Sequence, residues 1–502
     1  MIQRALLTLA LCAAPAAAQF SYELSLDTEA KLWSVTGRFA NPGGADVDYW
    51  IARWTPGAYH VADYGRLVEG LEATDGAGRE LSVERVSASQ FVIAAEGAEE
   101  VVVRYRARSL SEGLVTHGAV LDVESNRITR DYAYVTPVSL FGFVPDRDDE
   151  PFFLEVDLPQ GWKAATALRQ GEDGRYRAES FARFEDSPLF FSGTHTTYER
   201  EVAGKPLAVT IYGKTGAEAE AVVEDCVKIS AAAAELMGGV PYDRYHYLIG
   251  YVPEGAGSGL EHSFSTLILL PERMPAQFAH GLIAHEFFHL WCAERVHVQE
   301  IREPDFTEPF QTGTIWVNEP MTEYMTQHVL LQAGLLDRAG FFRAVGPSQQ
   351  LASIAAQLPS LVETSRNARD WGSMNDLQAF SVKMYQHGPR VILALDLEMR
   401  RSSGGERGVV DFLRHVMAEY DATGRGFEED GVLDILNQVA DGDLSDVYES
   451  FVLGNEGPDL AQHLDVIGHT VQRGRIVPVE EPTAAQQAAL ADFFAPDGDP
   501  ED

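Results

Sequence analysis

The sequence predicts an α+β chain, a β-rich sandwich or saddle followed by a mostly helical domain, and three observations carry that expectation. The first is length: one hydrophobic core stops growing near roughly 250–300 residues, and this chain has 502. The second is the texture of residues 19–215. Short alternating or β-branched runs, such as Leu32-Trp33-Ser34-Val35-Thr36 and Glu100-Val101-Val102-Val103-Arg104-Tyr105, are separated by turn signals such as Asn41-Pro42-Gly43-Gly44. The third is a change of period after Gly216. Alanine-rich helical spacing at 217–237 gives way to strand-like runs at 245–252 and 266–270. Helical patterns follow at about 275–295, 315–331, 338–356, 389–401, 408–420, 432–439 and 443–453.

The ends read differently. Arg4, an apolar run from Ala5 to Ala14, and Ala16-Ala17-Ala18 before Gln19 have the order of a secretory signal peptide over 1–18, which predicts a periplasmic or secreted protein. Residues 19–215 form the expected β domain and 216–475 the second domain. Residues 476–502, with Glu480-Glu481-Pro482 and a closing acidic run, read as a frayed acidic tail.

Composition narrows the function classes. A formal charge of −37 repels phosphate backbones and anionic lipid surfaces, which argues against nucleic-acid partners. No apolar stretch after the leader approaches the roughly 20 residues of a membrane helix, so no membrane insertion is expected after signal removal. Beyond the leader only Cys226 and Cys292 remain, either as two buried thiols or as one bridge.

One segment carries chemistry. His285-Glu286-Phe287-Phe288-His289 sets two histidines four apart, hence on one helical face, where both imidazoles can bind one zinc ion. Glu286 projects beside them as a general base. Thirty positions on, Glu319 in Trp316-Val317-Asn318-Glu319-Pro320 offers a third ligand, and three protein ligands with one open position is the catalytic pattern for zinc. Cys292 is the alternative fourth ligand of a closed, structural site. Glu323 lies one turn beyond Glu319 and either fixes a ligating histidine from behind or faces solvent. A developing oxyanion needs a donor; Tyr385 is the first choice and His387 the alternative.

The chain resembles the glycyl aminopeptidase family of gluzincin metallopeptidases. The resemblance rests on Trp54-Thr55-Pro56-Gly57-Ala58-Tyr59, Asp63-Tyr64, Gly161-Trp162-Lys163 and Asp186-Ser187-Pro188. It continues through Gly259-Leu260-Glu261-His262, the His285–His289 helix, the Glu319 helix, and Tyr385 to Gly388 leading into Leu395-Asp396-Leu397-Glu398. It implies a thermolysin-like catalytic domain, one Zn²⁺ per chain, and removal of N-terminal glycine or alanine from peptide substrates. It also implies a substrate-binding role for Gly259, Glu261 and His262, with Glu261 holding the free ammonium. Family members commonly continue into a C-terminal PDZ domain, whereas here only the acidic tail follows about Gly468.

Departures from the family pattern keep two alternatives in view: a zinc endopeptidase or dipeptide hydrolase, and a non-catalytic binding protein that retains the fold. Ser263 and Phe264 replace a polar pair, and Cys292 replaces asparagine. Pro320 follows the third ligand directly. If Asn318 caps the helix, Pro320 falls in the first turn and is harmless; if the helix starts at Thr314, it removes an interior hydrogen bond and threatens the placement of Glu319.

Overall fold

The computed structural model describes residues 19–109, 122–253, 257–309, 311–370 and 374–494. The expected signal peptide and the last eight residues, 495–502, lie outside the described residues.

The N-terminal half is β-rich, as the alternating runs require. Leu32–Ala40 buries every second side chain, and its neighbours Phe20–Asp27 and Glu100–Arg108 pair with it antiparallel, Val35 opposite Leu24 and Tyr105. These strands sit in the middle of an eight-stranded sheet, which Phe20–Asp27 extends by pairing parallel to Phe152–Asp157. Two four-stranded sheets close over the same core, contributing Tyr49, Ile51, Phe91, Ala133, Val135 and Phe191. Each fully buried side chain of that size contributes about 1.5–3 kcal/mol, so this core can hold the domain without disulfides.

The second domain begins earlier than expected. Thr196–Val202 and Lys205–Tyr212, assigned above to the β domain, pair as a hairpin, and the latter runs parallel to Tyr245–Val252. They belong to a five-stranded sheet that continues through Ser265–Pro271 and ends at the antiparallel edge strand Ser258–His262. Tyr245–Val252 is buried along its whole length because both faces are covered. Helices Gly216–Met237 and Ala276–Phe288 pack on one face; Tyr132, Tyr134 and Phe190 of the N-terminal domain pack on Leu248, Leu267 and Leu269 of the other.

The helical region follows the expected order, with two helices the spacing did not predict, Leu361–Asn367 and Met374–Ser381, and with three corrections from residue 338 onward. The run at 338–356 is two helices, Arg338–Val345 and Gln349–Ala355, because Gly346 precedes Pro347 and the residue before proline is driven out of helical geometry. The run at 443–453 holds the short helix Ser445–Tyr448 and a π-helical stretch Glu449–Leu453. The described part of the segment taken as a frayed tail, 476–494, is packed: its start completes a hairpin of Arg475–Pro478 with His469–Gln472, and helix Ala484–Phe494 buries Phe493 and Phe494 against Phe341. Its acidic composition concealed those two aromatic anchors.

Candidate metal centre and cleft

Helix Ala276–Phe288 is buried around His285, Glu286 and Phe287, and it stops at Phe288 instead of continuing to 295. The early stop has a use. A series of tight turns follows, and the carbonyl of Cys292 is left to accept from Nδ1 of His289 at 2.9 Å instead of serving a further helical turn. Thr322 Oγ1 lies 3.2 Å from the same Nδ1. With its proton on Nδ1, His289 turns the lone pair of Nε2 toward the cluster. His285 has a carboxylate behind it: its Nδ1 lies at ion-pair distance, 3.2 Å, from Oε2 of Glu323, so Glu323 stands behind a histidine and does not face only solvent.

The third donor, the acidic one, arrives despite the proline. Helix Ile315–Gln332 starts after Thr314, so Pro320 lies in its interior, the less favourable of the two alternatives. Glu319 Oε2 nevertheless sits 3.3 Å from His285 Nε2 and 3.6 Å from His289 Nε2. Two features keep it there. The Pro320 ring is seated against Gly388, where any Cβ would come within 2.5 Å of Pro320 Cγ. From the other domain, the Tyr59 hydroxyl donates to Oε1 of Glu319 at 2.8 Å. Tyr59 holds a left-handed backbone, φ +62°, a conformation that costs a bulky residue of the order of 1–3 kcal/mol and is offset here by burial and that bond.

The three donor atoms fit zinc. His285 Nε2 and His289 Nε2 are 3.0 Å apart, and with the two distances to Glu319 they make a triangle of 3.0, 3.3 and 3.6 Å. A tetrahedron of Zn–N and Zn–O bonds of about 2.0–2.1 Å has edges of about 3.3–3.4 Å. Burial alone would push the Glu319 carboxyl up, but His289, His285 and the Tyr59 bond outweigh it and hold it down at about 2, so it is ionised. Cys292 is not among the donors. Its buried thiol is pushed up to about 12 by burial and lies 3.1 Å from the Val317 carbonyl; Cys226 is a second free, buried thiol, so no bridge joins them.

Glu286 and Glu261 stand next to the triangle. Carboxylate oxygens of both lie within 4.8 Å of each other and of a His289 ring nitrogen. Burial raises the Glu286 carboxyl well above its usual range; the His285 charge opposes this, while Glu261, Glu319 and Glu323 add to it. That is the electrostatic condition for a group that accepts and returns a proton. Gly259 is required by this arrangement, since a Cβ there would fall 2.4 Å from Cγ of Glu286. Gly57, with φ +83°, plays the same part opposite Glu261, whose Oε1 would be 2.7 Å from a Cβ.

Other expected residues divide. Tyr385 stands in the π-helical turn Val382–His387 with its ring edge-on to His285, centroids 5.7 Å apart. Burial, then the charge of Glu319, keeps its phenol protonated. His387 is not brought to the cluster: it lines a separate cavity with Pro347, Arg390 and Leu460, and burial lowers it to about 3. His262 is also absent from the cluster. Successive strand residues point to opposite faces, so with Glu261 directed at the histidines, His262 turns to Asp186, Nδ1 to Oδ1 3.0 Å. Tyr59, Gly57 and Thr322 were not singled out from sequence. The first two lie in the motif 54–59, whose place in the chain gave the available signal; Thr322 gave none.

Comparison with known proteins follows the same division of the chain. The family model for the peptidase M61 N-terminal domain matches residues 21–193, and that for the M61 glycyl aminopeptidase matches residues 279–391. Among solved structures, the chain is similar to an aminopeptidase N family protein from Idiomarina loihiensis, with 22% identity and a TM-score of 0.80 over 90% of this chain and 79% of that one. It is also similar to a variant M1 zinc metallopeptidase from Deinococcus radiodurans bound to a Tyr-Ser-Ala substrate, with 14% identity and a TM-score of 0.54 over 88% and 95%. Yeast LTA4 hydrolase in complex with bestatin gives 15% identity and a TM-score of 0.53 over 90% and 70%. At these identities the likeness establishes the fold. No protein of curated function matches the chain.

Proposed function

The chain belongs to the M61 glycyl aminopeptidase family and is a zinc metallopeptidase; on that premise we propose that it removes single residues from the free N-terminus of peptides, outside the cytoplasm. One zinc per chain would be held by His285, His289 and Glu319. When bound there, it supplies Lewis acidity, polarising a scissile carbonyl and acidifying a water.

The chain's own residues do the remainder. Glu286 takes the proton of the attacking water and passes it to the departing amine nitrogen, the work its raised affinity for a proton suits. Tyr385 donates its phenolic hydrogen to the oxygen on which negative charge develops. Tyr59 and Glu323 hold Glu319 and His285 in position. Ser258–His262 is an edge strand, so its free backbone groups can pair with an extended peptide, and Gly259 lets that peptide lie close to Glu286.

The observation that carries terminus recognition is Glu261. Its carboxylate, buried and within 4.8 Å of Glu286 and His289 donor atoms, would pair with an α-ammonium and disfavour a neutral chain continuing in that direction. That favours an aminopeptidase over an endopeptidase, and the family's description supports glycine at the first position, with alanine as the next smallest candidate. The test compares alanyl and glycyl peptides, free and N-acetylated, with and without chelator. Turnover confined to free termini and abolished by chelation is expected; equal cleavage of acetylated peptides would refute the role of Glu261. Export through the leader 1–18 is checked by sequencing the mature N-terminus, expected at Gln19.

A further inference from the structure

Beyond Glu261 the cleft opens into a cavity of about 500 Å³, walled by the Pro56–Gly57 loop, the chain around Glu185 and the turn after the histidine helix. An alanine methyl group needs a small fraction of that space. Five carboxylates line it, Glu185, Asp186, Glu261, Glu294 and Asp421, against three guanidinium groups. The guanidinium groups pair with two of these carboxylates. Arg302 bonds Asp421 at 2.6 Å, and Arg295 lies 4.0 Å from the same carboxylate. Arg183 is 3.7 Å from Asp186 and stacks 4.0 Å over the Phe264 ring, the residue that departs from the family pattern.

Glu185 and Glu294 are left with hydroxyl partners: Thr55 donates to Glu185 at 3.1 Å and Ser263 to Glu294 at 2.5 Å. Among the described residues, neither they nor Glu261 has a cation at ion-pair distance. Burial, with the charge of Asp186 next, pushes the Glu294 carboxyl up to about 8 against the Ser263 bond and the charge of Arg295, so it is a group whose ionised form a cation arriving in the cavity would favour.

An independent feature points the same way. His297, 5% exposed, lines the cavity and has Nδ1 2.6 Å from the Ala293 carbonyl, so Nδ1 carries the proton and donates. Its Nε2 is a buried acceptor without a partner. Burial lowers this ring to about 4, so Nε2 keeps its lone pair at neutral pH. Apart from Arg183 Nη1, which faces Asp186 at 3.7 Å without a hydrogen bond, the buried groups of the wall left unmet are acceptors, and a buried acceptor left unmet costs about 1–3 kcal/mol.

We propose that this cavity receives a cationic side chain, that of lysine or arginine as the N-terminal residue of the substrate. The proposal rests on the aminopeptidase reading, because Glu261 must hold the α-ammonium for the side chain to enter. It extends the substrate range beyond the glycine that the family's description supports. Ser263 and Phe264 acquire functions from it: Ser263 holds Glu294 in the wall, and Phe264 draws a guanidinium group to its own ring.

The test uses the zinc-loaded full chain and three p-nitroanilides, of lysine, of norleucine, which keeps the lysine stem without its charge, and of alanine. The expected kcat/KM for lysine exceeds that for norleucine by about tenfold or more, the worth of one charge-assisted hydrogen bond. Glu294→Gln is expected to cut that ratio by about tenfold. Calorimetry on the Glu286→Gln chain provides a measurement independent of turnover, with Lys-Ala-Ala expected to bind about tenfold more tightly than the norleucine peptide. Equal or better use of norleucine, or a ratio unmoved by Glu294→Gln, would overturn the proposal while alanine turnover leaves the aminopeptidase reading intact. Cleavage of acetylated peptides with no turnover of any of the three anilides would overturn that reading and the proposal together.

Discussion

The inner and outer halves of the cleft hold their charges in opposite ways. Around the histidines each ligand has a charged or polar group set against it: His285 has Glu319 and, at ion-pair distance, Glu323; His289 has the Cys292 carbonyl and Thr322; and Glu319 has Tyr59. A few residues away, Glu185 and Glu294 have only hydroxyl groups, and His297 Nε2 has no partner. The inner half is organised to hold a metal ion with its geometry already set. The outer half is organised to be completed by what it binds. The presence or absence of a charged partner thus distinguishes the two halves of one cleft, although both are buried and both are rich in carboxylates.

The largest effects come from breaking the partnered half. Glu319→Ala is expected to lose both zinc and activity, while Glu286→Gln keeps zinc and loses activity by at least about 10³-fold; metal analysis beside kcat separates the two. Retention of stoichiometric zinc by Glu319→Ala would mean that the triangle is not the metal site.

Removing one support and leaving the donor should do less. Tyr59→Phe deletes the bond to Glu319 and is expected to weaken zinc binding by about 10–100-fold, read as the chelator concentration that halves activity. Glu323→Gln keeps a polar group behind His285 and should cost about tenfold or less by the same measure. A Tyr59→Phe chain indistinguishable from the parent would show that the N-terminal domain plays no part in holding the metal.

Pro320→Ala should have the smallest effect on the site and reports on its frame. Interior proline costs a helix about 3 kcal/mol, partly returned by restricting the unfolded chain and by packing against Gly388. A gain of about 1 kcal/mol, seen as a higher thermal midpoint with zinc content unchanged, is expected. A fall in zinc content would show that the proline itself positions Glu319.

What was legible in the sequence was whatever depends on local spacing. The strand alternation of Leu32–Ala40, the switch to helical period after residue 215, and the pairing of His285 with His289 on one face all follow from backbone periodicity. Glu319 was legible by residue type, and Glu323 by its spacing of one helical turn. The positions at 346–347 show the limit: the Gly346–Pro347 break was present in the letters, yet the apolar spacing across it suggested one helix.

Tertiary structure decided the matters in which distant residues choose between equal local alternatives. His387 and Tyr385 share one π-helical turn, and only packing sends the first to another cavity and the second to His285. His262 and Glu261 are adjacent, and only the sheet determines which one meets the histidines. The same holds for Pro320, where the helix takes the unfavourable start and Tyr59, 260 positions away, still secures Glu319. The sequence by itself determined which chemistry the chain carries, because residue type and short spacing are written locally. Which side chains converge, and what the space beside them will accept, depended on long-range packing that no local period encodes.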